Sequence, residues 1–336
     1  MTACSTCGAV SHCPLKIQIP DPVDSKPRGM TTPALAGGAR EVTSVDGILN
    51  VNKPAGMTSH DVVSVVRRFS RLQRVGHAGT LDPMATGVLL VCLGQATRVV
   101  EYLSDHDKKY RARVRLGVET DTYDATGAVV AERAVSVTRG NIDAALHGFI
   151  GKLSQMPPAY SAIKREGVPL YKLARQGKPV ETAPRAVEIF SIDLIEVALP
   201  EVEFDVHCSK GTYIRSLAHD LGEKLGCGAH LVALTRTASG QFTLDEAHTL
   251  DELRAAFEGS YAERFLLPID EALLQFEAIV LDTAMAKRIQ QGNALACARE
   301  YSSSLLRAYS TDGGLIALLE RGSAADEWKP KKVFVS

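Results

Sequence analysis

The chain has 336 residues and is 45% apolar, which is enough for one large domain and one smaller domain, each with its own core. Its 38 basic residues nearly cancel its 39 acidic residues, so only local clusters of charge can indicate a polyanionic partner. Because no apolar stretch reaches the roughly 20 residues of a membrane span and no signal-peptide pattern is present, we exclude a membrane partner and expect a soluble, cytoplasmic protein.

Residues 1–41 lack the periodicity of core-forming elements and are rich in proline, which predicts a flexible N-terminal extension. Three cysteines and a histidine stand close together there: Cys4, Cys7, His12 and Cys13. They could close around zinc, but a structural zinc site usually pairs two separated knuckles, and no second half follows. We therefore predict a tail without metal.

The first ordered signal is the stretch GILNVNKPAGMTSHDVVSVVRRF. A short apolar strand ends at Lys53, and a turn leads from it into a helix. Thr58 and Asp61 fit a capping box at the start of that helix. Val62 and Val66 then fall on one helical face, so this element predicts an amphipathic helix packed on the core.

The next stretch, GHAGTLDPMATGVLLVCL, holds a single carboxylate in a loop just ahead of a buried, β-prone run. Taken alone, Asp82 is typical of a turn that bonds its own backbone, and His77 is typical of a solvated loop histidine. The following segment, KKYRARVRLGV, alternates as a strand with Tyr110 on its apolar face. Its other face carries four cations: Lys109, Arg111, Arg113 and Arg115.

Farther along, helical spacing predicts an amphipathic helix with the inward residues Ile142, Leu146, Phe149 and Leu153. Residues 155–186 are basic, carry tyrosines and are broken by prolines, which predicts an exposed loop insertion. The cations of this insertion include Lys164, Arg165 and Lys172. Together with the cationic strand face, they could form a track for phosphates.

The stretch SKGTYIRSLAHDLGEKLGCG predicts a helix that buries Ile214, Leu217 and Leu221 and ends at Gly226. Arg215 lies near the start of this apolar helix, where a cation opposes the helix dipole. We therefore expect a partner for it, and a carboxylate such as Asp82 would accept it as a bidentate pair.

Strands and helices alternate irregularly up to residue 266, and some strands form hairpin-like pairs. This order predicts an α/β or α+β domain with a mixed, largely antiparallel sheet over residues 42–266. From about Leu267 the pattern restarts with a short helix and several β-like runs. Residues 267–336 therefore predict a small β-rich domain.

Several long blocks, in the right order over roughly residues 46 to 240, resemble the bacterial tRNA pseudouridine synthase B (TruB) family. They are GILNVNKPAGMTSHDVV, GHAGTLDPMATGVLLVCLGQATR, KKYRARVRLGVETDTYDATG, QMPPAYSAIKREGVPLYKLARQG and SKGTYIRSLAHDLGEKLGCGAHLVALTRTASG. The resemblance implies a pseudouridine synthase fold with a C-terminal PUA-like RNA-binding domain. It also implies isomerisation of uridine 55 in the T-arm loop of tRNA, acting on a flipped-out base without cofactor or metal. We further expect a monomer.

The resemblance also assigns three catalytic positions. Asp82 matches the family's catalytic aspartate, and one carboxylate acting as nucleophile can hold an intermediate while the base rotates. Arg215 matches the arginine paired to that aspartate. Tyr110 matches the tyrosine that stacks on the target base and could assist a proton transfer.

Four further positions match residues around the substrate. Tyr213 and Leu234 match residues that line the uracil pocket. His77 matches the histidine that contacts the extruded nucleotide, since a side chain that fills the vacated space would offset the cost of unstacking. Lys53 stands where the family has a lysine near the active site.

Two other classes of function remain open. A non-catalytic RNA-binding protein or tRNA folding chaperone would use the same basic surface and stacking tyrosine, but it gives no reason for Asp82 beside Arg215. A hydrolase such as a retaining glycosidase could use Asp82 as nucleophile. It needs a second carboxyl group close by, and the neighbouring motif residues supply none.

Overall fold

The structure, a computed structural model, describes residues 45–158, 164–165, 168–169, 183–297, 299–324 and 326–334; residues 164–165 and 168–169 are described in their backbone alone. The chain divides into two units, Met1–Thr43 and Ser44–Ser336, and all described residues belong to the second. The predicted N-terminal extension with Cys4, Cys7, His12 and Cys13, and Lys172 of the loop insertion, lie outside the described residues.

The strands that precede residue 250 are β1 (Gly47–Lys53), β2 (Val75–Ala78), β3 (Thr86–Leu93), β4 (Lys108–Leu116), β5 (Val118–Thr120), β6 (Val129–Glu132), β7 (Gly151–Gln155), β8 (Lys164–Arg165), β9 (Val168–Pro169), β10 (Arg185–Ala198), β11 (Glu201–Cys208), β12 (Ala229–Ser239) and β13 (Phe242–Thr243). Nine of these described strands form one sheet in the order β1-β3-β12-β4-β11-β10-β7, with β2 on β3 and β13 on β12. The strands β5 and β6, and β8 and β9, form two separate hairpin-like pairs.

Neighbours in the large sheet run antiparallel except at one place, where β12 and β3 pair in parallel over Thr235↔Thr86 and Arg236↔Gly87. Gly87 has φ +96°, and a Cβ there would lie 2.3 Å from the carbonyl oxygen of Arg236. This position therefore requires glycine, because only a missing side chain lets the two strands approach so closely. The predicted mixed, largely antiparallel sheet is confirmed.

The helices are α1 (Ser59–Ser70), α2 (Val100–Ser104), α3 (Arg139–His147), α4 (Ile214–Leu225), α5 (Leu250–Glu258) and α6 (Thr283–Gln290). Helix α1 begins with the predicted capping box, in which the Asp61 N–H donates to Thr58 Oγ1 at 3.0 Å and the Thr58 N–H donates to Asp61 Oδ2 at 2.8 Å. Helix α4 ends as predicted at Gly226, with φ 75°.

The predicted helix over Ile142 to Leu153 is wrong at its C-terminal end. Helix α3 ends at His147, and Leu153 belongs to strand β7. Gly148 caps the helix, and Gly151, with φ +109°, turns the chain into the strand. The helix ends at the Gly148 cap, and Gly151 overrides the helical spacing of the apolar residues, because a backbone at positive φ cannot continue a right-handed helix.

The helices cover the sheet with two apolar clusters. Helices α1 and α5 pack on β1 and β3 through residues such as Val62, Val66 and Leu253. Helices α3 and α4 pack on β4, β11 and β12 through residues such as Ile142 and Leu217. The second cluster reaches Leu81, next to the lone carboxylate of the sequence, so the sheet and α4 together form the wall on which the candidate site is built.

The C-terminal part is a second sheet of strands β14 (Glu277–Leu281), β15 (Leu295–Ala296), β16 (Leu305–Ser310), β17 (Leu315–Arg321) and β18 (Glu327–Val333). The order is β14-β16-β17-β18-β15, and helix α6 packs on it, so the predicted small β-rich unit is confirmed. Leu318 and Phe334 share an apolar cluster with Leu90 and Leu103 of the larger sheet unit. Along the described chain, every helix is too short or too polar to cross a membrane.

Candidate active site

Asp82 lies in the loop between β2 and β3, and residues near the start of α1 hold this loop on both sides. The Leu81 N–H donates to Ser59 Oγ at 2.9 Å, and the Ser59 hydroxyl faces the Leu81 carbonyl at 3.3 Å. The Pro83 carbonyl accepts a hydrogen bond from Lys53 Nζ at 3.2 Å. The backbone that carries Asp82 is thus fixed by its neighbours, which leaves the carboxylate itself available to another partner.

That partner is Arg215, in the first turn of α4. Its Nη2 donates to Asp82 Oδ1 at 3.0 Å, and its Nε lies 2.8 Å from Asp82 Oδ2. The side chain of Arg215 is 5% exposed and that of Asp82 is 34% exposed. The buried guanidinium therefore holds the carboxylate as a bidentate pair while one side of the carboxylate stays open to a ligand.

A second carboxylate lies on the other side of Arg215. Arg215 Nη1 is 3.5 Å from Asp124 Oδ2 and donates to the Thr122 carbonyl at 3.3 Å. The other oxygen of Asp124 accepts hydrogen bonds from the Thr126 N–H at 2.9 Å, the Thr126 hydroxyl at 2.6 Å and the Thr122 hydroxyl at 2.9 Å. Asp124 is buried and held on all sides, so it orients Arg215 and is not free to act as an acid or base.

Tyr110 points from β4 into the apolar cluster that also holds Leu81 and Leu234. Its side chain is buried, and burial raises the pKa of its hydroxyl, whereas a hydrogen bond with Arg236 and the positive charge of that residue oppose the rise. The hydroxyl is therefore a neutral donor or acceptor at physiological pH. Tyr110 and Leu234 form an apolar wall next to the Asp82 loop.

Arg236 connects this wall to the Asp82 loop. It is 1% exposed, and it donates through Nε to the Val88 carbonyl at 2.6 Å and through Nη2 to the Gly79 carbonyl at 2.8 Å. One buried guanidinium thus ties together strand β3, the loop before Asp82 and the hydroxyl of Tyr110.

Tyr213 precedes helix α4, and its backbone is fixed by one buried amide. Gln155 Oε1 accepts from the Tyr213 N–H at 2.7 Å, and Gln155 Nε2 donates to the Tyr213 carbonyl at 3.0 Å. Ser216 Oγ donates to the Met156 carbonyl at 2.8 Å. The end of β7 therefore anchors the start of the helix that carries Arg215.

Lys53 and His77 lie at the edges of this arrangement. The Lys53 ammonium donates to the Pro54 carbonyl at 2.8 Å; burial lowers its pKa to about 8, and the negative charge of Asp82 partly opposes this. Because Lys53 is 0% exposed, its contacts favour a role in holding the loop, and substrate binding by it stays a prediction. His77, in β2, has a pKa lowered by burial, and its Nε2 lies 3.2 Å from Thr80 Oγ1.

The cationic face of β4 lies away from this site. Tyr110 and Arg111 point to opposite faces of the strand, and Arg111 forms a bidentate pair with Asp205 of β11 at 2.8 and 2.9 Å. Arg113 pairs with Glu203 at 3.4 Å. Two cations of the predicted phosphate track are thus paired with acids of β11, and the pleat directs them away from Tyr110; phosphate binding by this face stays a prediction.

Comparison with known proteins shows which family the chain matches. The model of the TruB family pseudouridylate synthase N-terminal domain matches residues 67–214, and that of the tRNA pseudouridylate synthase B C-terminal domain matches residues 215–274. The tRNA pseudouridine synthase B of Alkaliphilus oremlandii is 48% identical over 262 residues, which are 78% of this chain and 85% of that protein. The protein of the same name from Thiobacillus denitrificans is 45% identical over 293 residues, which are 87% of this chain and 97% of that protein.

The chain belongs to the tRNA pseudouridine synthase B (TruB) family. Solved structures of more distant relatives share the fold of this TruB chain. A chain of a Cbf5-Nop10-Gar1 complex matches with a TM-score of 0.66 and 27% identity, over 86% of this chain and 85% of that chain. A chain of an H/ACA RNP bound to a substrate RNA matches with a TM-score of 0.66 and 25% identity, over the same shares. The expected pseudouridine synthase fold is confirmed.

Three residues of this TruB site were missed at the level of sequence: Asp124, Gln155 and Arg236. Asp124 lies in DTYDATG, whose composition is that of an ordinary turn, and Gln155 stands beside a proline-rich loop. A signal for Arg236 was available, since a charged residue inside the apolar alternation of a strand demands an explanation. Each acts through contacts between residues that are distant in sequence, which local patterns do not encode.

Proposed function

We propose that this TruB-family enzyme isomerises uridine 55 in the T-arm loop of tRNA, with Asp82 as the nucleophile acting on a flipped-out base. Family membership makes the chain a tRNA pseudouridine synthase with RNA as its partner. The position in tRNA and the role of Asp82 are the proposal. The observation that carries it is the bidentate pair of a partly exposed Asp82 with a buried Arg215, beside the apolar wall of Tyr110 and Leu234.

The reaction breaks the bond between uracil N1 and ribose C1′ and forms a bond between uracil C5 and C1′. The C5 proton leaves and N1 takes up a proton, so atoms balance without an oxidant or a hydrolytic water. A carboxylate can hold an intermediate while the base rotates, by adding either to C1′ of the sugar or to C6 of the uracil ring. Arg215 would keep the carboxylate oriented toward the base in either case.

The remaining site residues have proposed roles that fit their positions. Tyr110 would stack on the uracil and donate or accept a proton through its neutral hydroxyl, against the wall formed with Leu234. Tyr213, fixed by Gln155, would close the other side of the pocket. His77 would contact the extruded nucleotide and occupy the vacated space, which offsets part of the unstacking cost of a few kcal/mol.

We extend the proposal to the whole chain. Residues 42–266 would form the catalytic domain, with residues 155–186 as its RNA-contacting insertion, and residues 267–336 would form the PUA-like RNA-binding domain. The β-rich sheet of β14 to β18 supports the latter. We also propose that the enzyme works as a monomer in the cytoplasm, where its tRNA substrate is found.

The test is the variant Asp82→Asn, which keeps the shape of the side chain and loses its charge. With a tRNA transcript, pseudouridine formation should fall below detection, because removing a nucleophile usually costs many powers of ten in rate. The affinity for tRNA should change less than about twofold, since it comes from phosphate contacts and stacking. A transcript with cytidine at position 55 serves as the substrate control.

Two outcomes would contradict the proposal. Turnover by folded Asp82→Asn within about tenfold of wild type, a barrier change of about 1.4 kcal/mol, would make Asp82 an ordinary turn residue. Tight tRNA binding without isomerisation by the wild type would favour the folding chaperone. A hydrolase would release free uracil, and the second carboxylate near Arg215, Asp124, is buried and hydrogen-bonded away from such a role.

A further inference from the structure

Tyr123 has a backbone conformation that bulky side chains rarely adopt. Its φ is 63°, in the left-handed region, where steric strain is expected for a residue with a large side chain. The two residues beside it are those that contact Arg215 from this loop. The Thr122 carbonyl accepts a hydrogen bond from Arg215 Nη1 at 3.3 Å, and the Asp124 carboxylate lies 3.5 Å from the same nitrogen. The left-handed turn at Tyr123 lets both groups face the same guanidinium.

The ring of Tyr123 packs against the helix that carries Arg215. It stacks on His219 with ring centroids 4.1 Å apart and an angle of 30° between the planes. His219 lies in α4 four residues after Arg215, so the two side chains lie on one face of the helix, one turn apart. The loop therefore contacts helix α4 at two places: at the Arg215 guanidinium and at the stacked ring of His219.

The loop is also fixed to the sheet behind it. The Leu231 N–H of β12 donates to the Tyr123 carbonyl at 3.0 Å, and the Ala125 N–H donates to the Leu231 carbonyl at 2.9 Å. These hydrogen bonds fix the loop to strand β12, whereas the stacked rings hold it against helix α4. A strained residue persists only where its surroundings hold it, and here the stack with His219 supplies that support.

We propose that Tyr123 and His219 are a positioning pair, which holds the loop against α4 so that Thr122 and Asp124 keep Arg215 in register with Asp82. The inference rests on the proposed roles of Asp82 and Arg215. Both residues would act through Arg215, because Thr122 and Asp124, the neighbours of Tyr123, are the loop residues that contact its guanidinium. Their removal should therefore change the rate of the chemical step and leave tRNA binding intact.

The first experiment measures single-turnover pseudouridine formation and tRNA affinity for Tyr123→Ala, His219→Ala and the double variant. Each single variant should react about ten- to hundredfold more slowly, because a small misplacement of reacting groups is costly. The double variant should be no slower than the worse single variant, since both remove one interaction. Tyr123→Phe keeps the ring and should retain the wild-type rate, and Tyr123→Gly, which relieves the strain, should fall between Ala and Phe.

Tyr261→Ala is the matched control, because Tyr261 is 39% exposed and lies outside the site. Folded Tyr123→Ala and His219→Ala variants that react within about twofold of wild type would overturn the proposal. So would additive losses in the double variant, or a loss of tRNA affinity, which would make the Tyr123 ring an RNA contact.

The second experiment separates this inference from the proposed function. The Nε–H resonance of ¹⁵N-labelled Arg215 reports its pairing with Asp82 in the free protein, whether or not the protein isomerises RNA. It should shift and exchange faster with solvent in Tyr123→Ala and His219→Ala, and match wild type in Tyr123→Phe. A wild type without isomerase activity would remove the proposed function alone, whereas an Nε–H signal unmoved by Tyr123→Ala would remove the positioning pair.

Discussion

At the scale of single residues, the two carboxylates around Arg215 differ in exposure. The side chain of Asp82 is 34% exposed and that of Asp124 is 7% exposed. The more exposed one can meet a ligand, and the buried one can only act through the guanidinium. The positive charge of Arg215 lies between two negative carboxylates, so its position depends on both of them.

Asp124→Asn tests this dependence. The variant keeps the size of the side chain and removes the charge that faces Arg215. We expect the single-turnover rate to fall at least about tenfold, equivalent to about 1.4 kcal/mol, because Arg215 can then move relative to Asp82. The affinity for tRNA should stay within about twofold of wild type, because Asp124 is buried away from RNA.

The control for this variant is Asp193→Asn, the same substitution at an exposed position of β10. It should leave both rate and affinity as in wild type. A rate for Asp124→Asn equal to that of Asp193→Asn would show that Arg215 needs no second carboxylate.

We expect Lys53 to make the free energy of unfolding depend on pH. Burial lowers its pKa from 10.5 to about 8, so between these values the folded state binds fewer protons here than the unfolded state. The buried ammonium therefore costs stability below about pH 8, and the cost is relieved as the pH rises toward 10.5. Relative to Lys53→Met, the wild type should gain free energy of unfolding between about pH 7.5 and about pH 10.

Urea denaturation of both proteins across this pH range measures the difference. Lys108 also has a pKa lowered to about 8, mainly by burial, but it is present in both proteins and its effect cancels. A difference in free energy that stays constant with pH would mean that Lys53 is charged in both states throughout.

At the scale of the structural element, the pleat of strand β4 directs alternate side chains to opposite faces of the sheet. One face carries Tyr110 into the site, and the other carries Arg111 and Arg113 toward Glu203 and Asp205 of β11. Exposed ion pairs of this kind contribute about 0–1 kcal/mol each, and their charge is already balanced. We therefore expect Arg111 and Arg113 to contribute little to phosphate binding.

The double variant Arg111→Ala/Arg113→Ala should bind tRNA with nearly the wild-type affinity. Because these side chains release no counterions from RNA, the slope of log affinity against log salt concentration should not change. Filter binding over a series of salt concentrations measures the slope. A slope that becomes flatter by about two units would show that Arg111 and Arg113 contact phosphates of the RNA.

Local rules predicted some elements well and failed where glycines or distant contacts decide. Thr58 and Asp61 predicted the start of α1, and Gly226 predicted the end of α4. The spacing of apolar residues did not predict the end of α3, because a strand after Gly151 happened to continue the same spacing. The start of α4 indicated a carboxylate partner for its arginine, and the structure has that contact.

Other parts of the site could not be predicted in this way. The loop of Asp124 reaches α4 across 93 residues, from the Thr122 carbonyl to Arg215, and periodicity carries no information over that distance. Likewise, the alternation of β4 predicted which residues share a face, but not which face meets the site. That choice depends on the neighbouring strands and helices, and it appears only in the assembled sheet.

At the scale of the whole molecule, the two sheets share one core. Phe334 is 4% exposed and packs with Leu318 in the cluster that also contains Leu90 and Leu103 of the larger unit. Lys332 Nζ lies 2.9 Å from Glu101, and Arg98 contacts the ring of Phe334. Because apolar packing continues from one sheet to the other, we expect them to unfold together.

Phe334→Ala should lower the free energy of unfolding by about 3 kcal/mol, through the lost transfer energy and the cavity left behind. Thermal unfolding should remain a single transition at a lower temperature. Phe190→Ala, at a position that is 44% exposed, is the matched control and should change stability much less. Two separate transitions in the wild type would contradict a shared core.

The short parallel contact between β3 and β12 sets a limit on redesign of this enzyme. Asp82 stands just ahead of β3, whereas Leu234 and Arg236 belong to β12, so the proposed nucleophile and the wall beside it come from opposite sides of the contact. A side chain at Gly87 would force the strands apart, since even a Cβ would lie 2.3 Å from a carbonyl oxygen. A library that seeks new RNA substrates should therefore keep Gly87 unchanged, because any other residue there would displace Asp82 from the wall that contains Leu234.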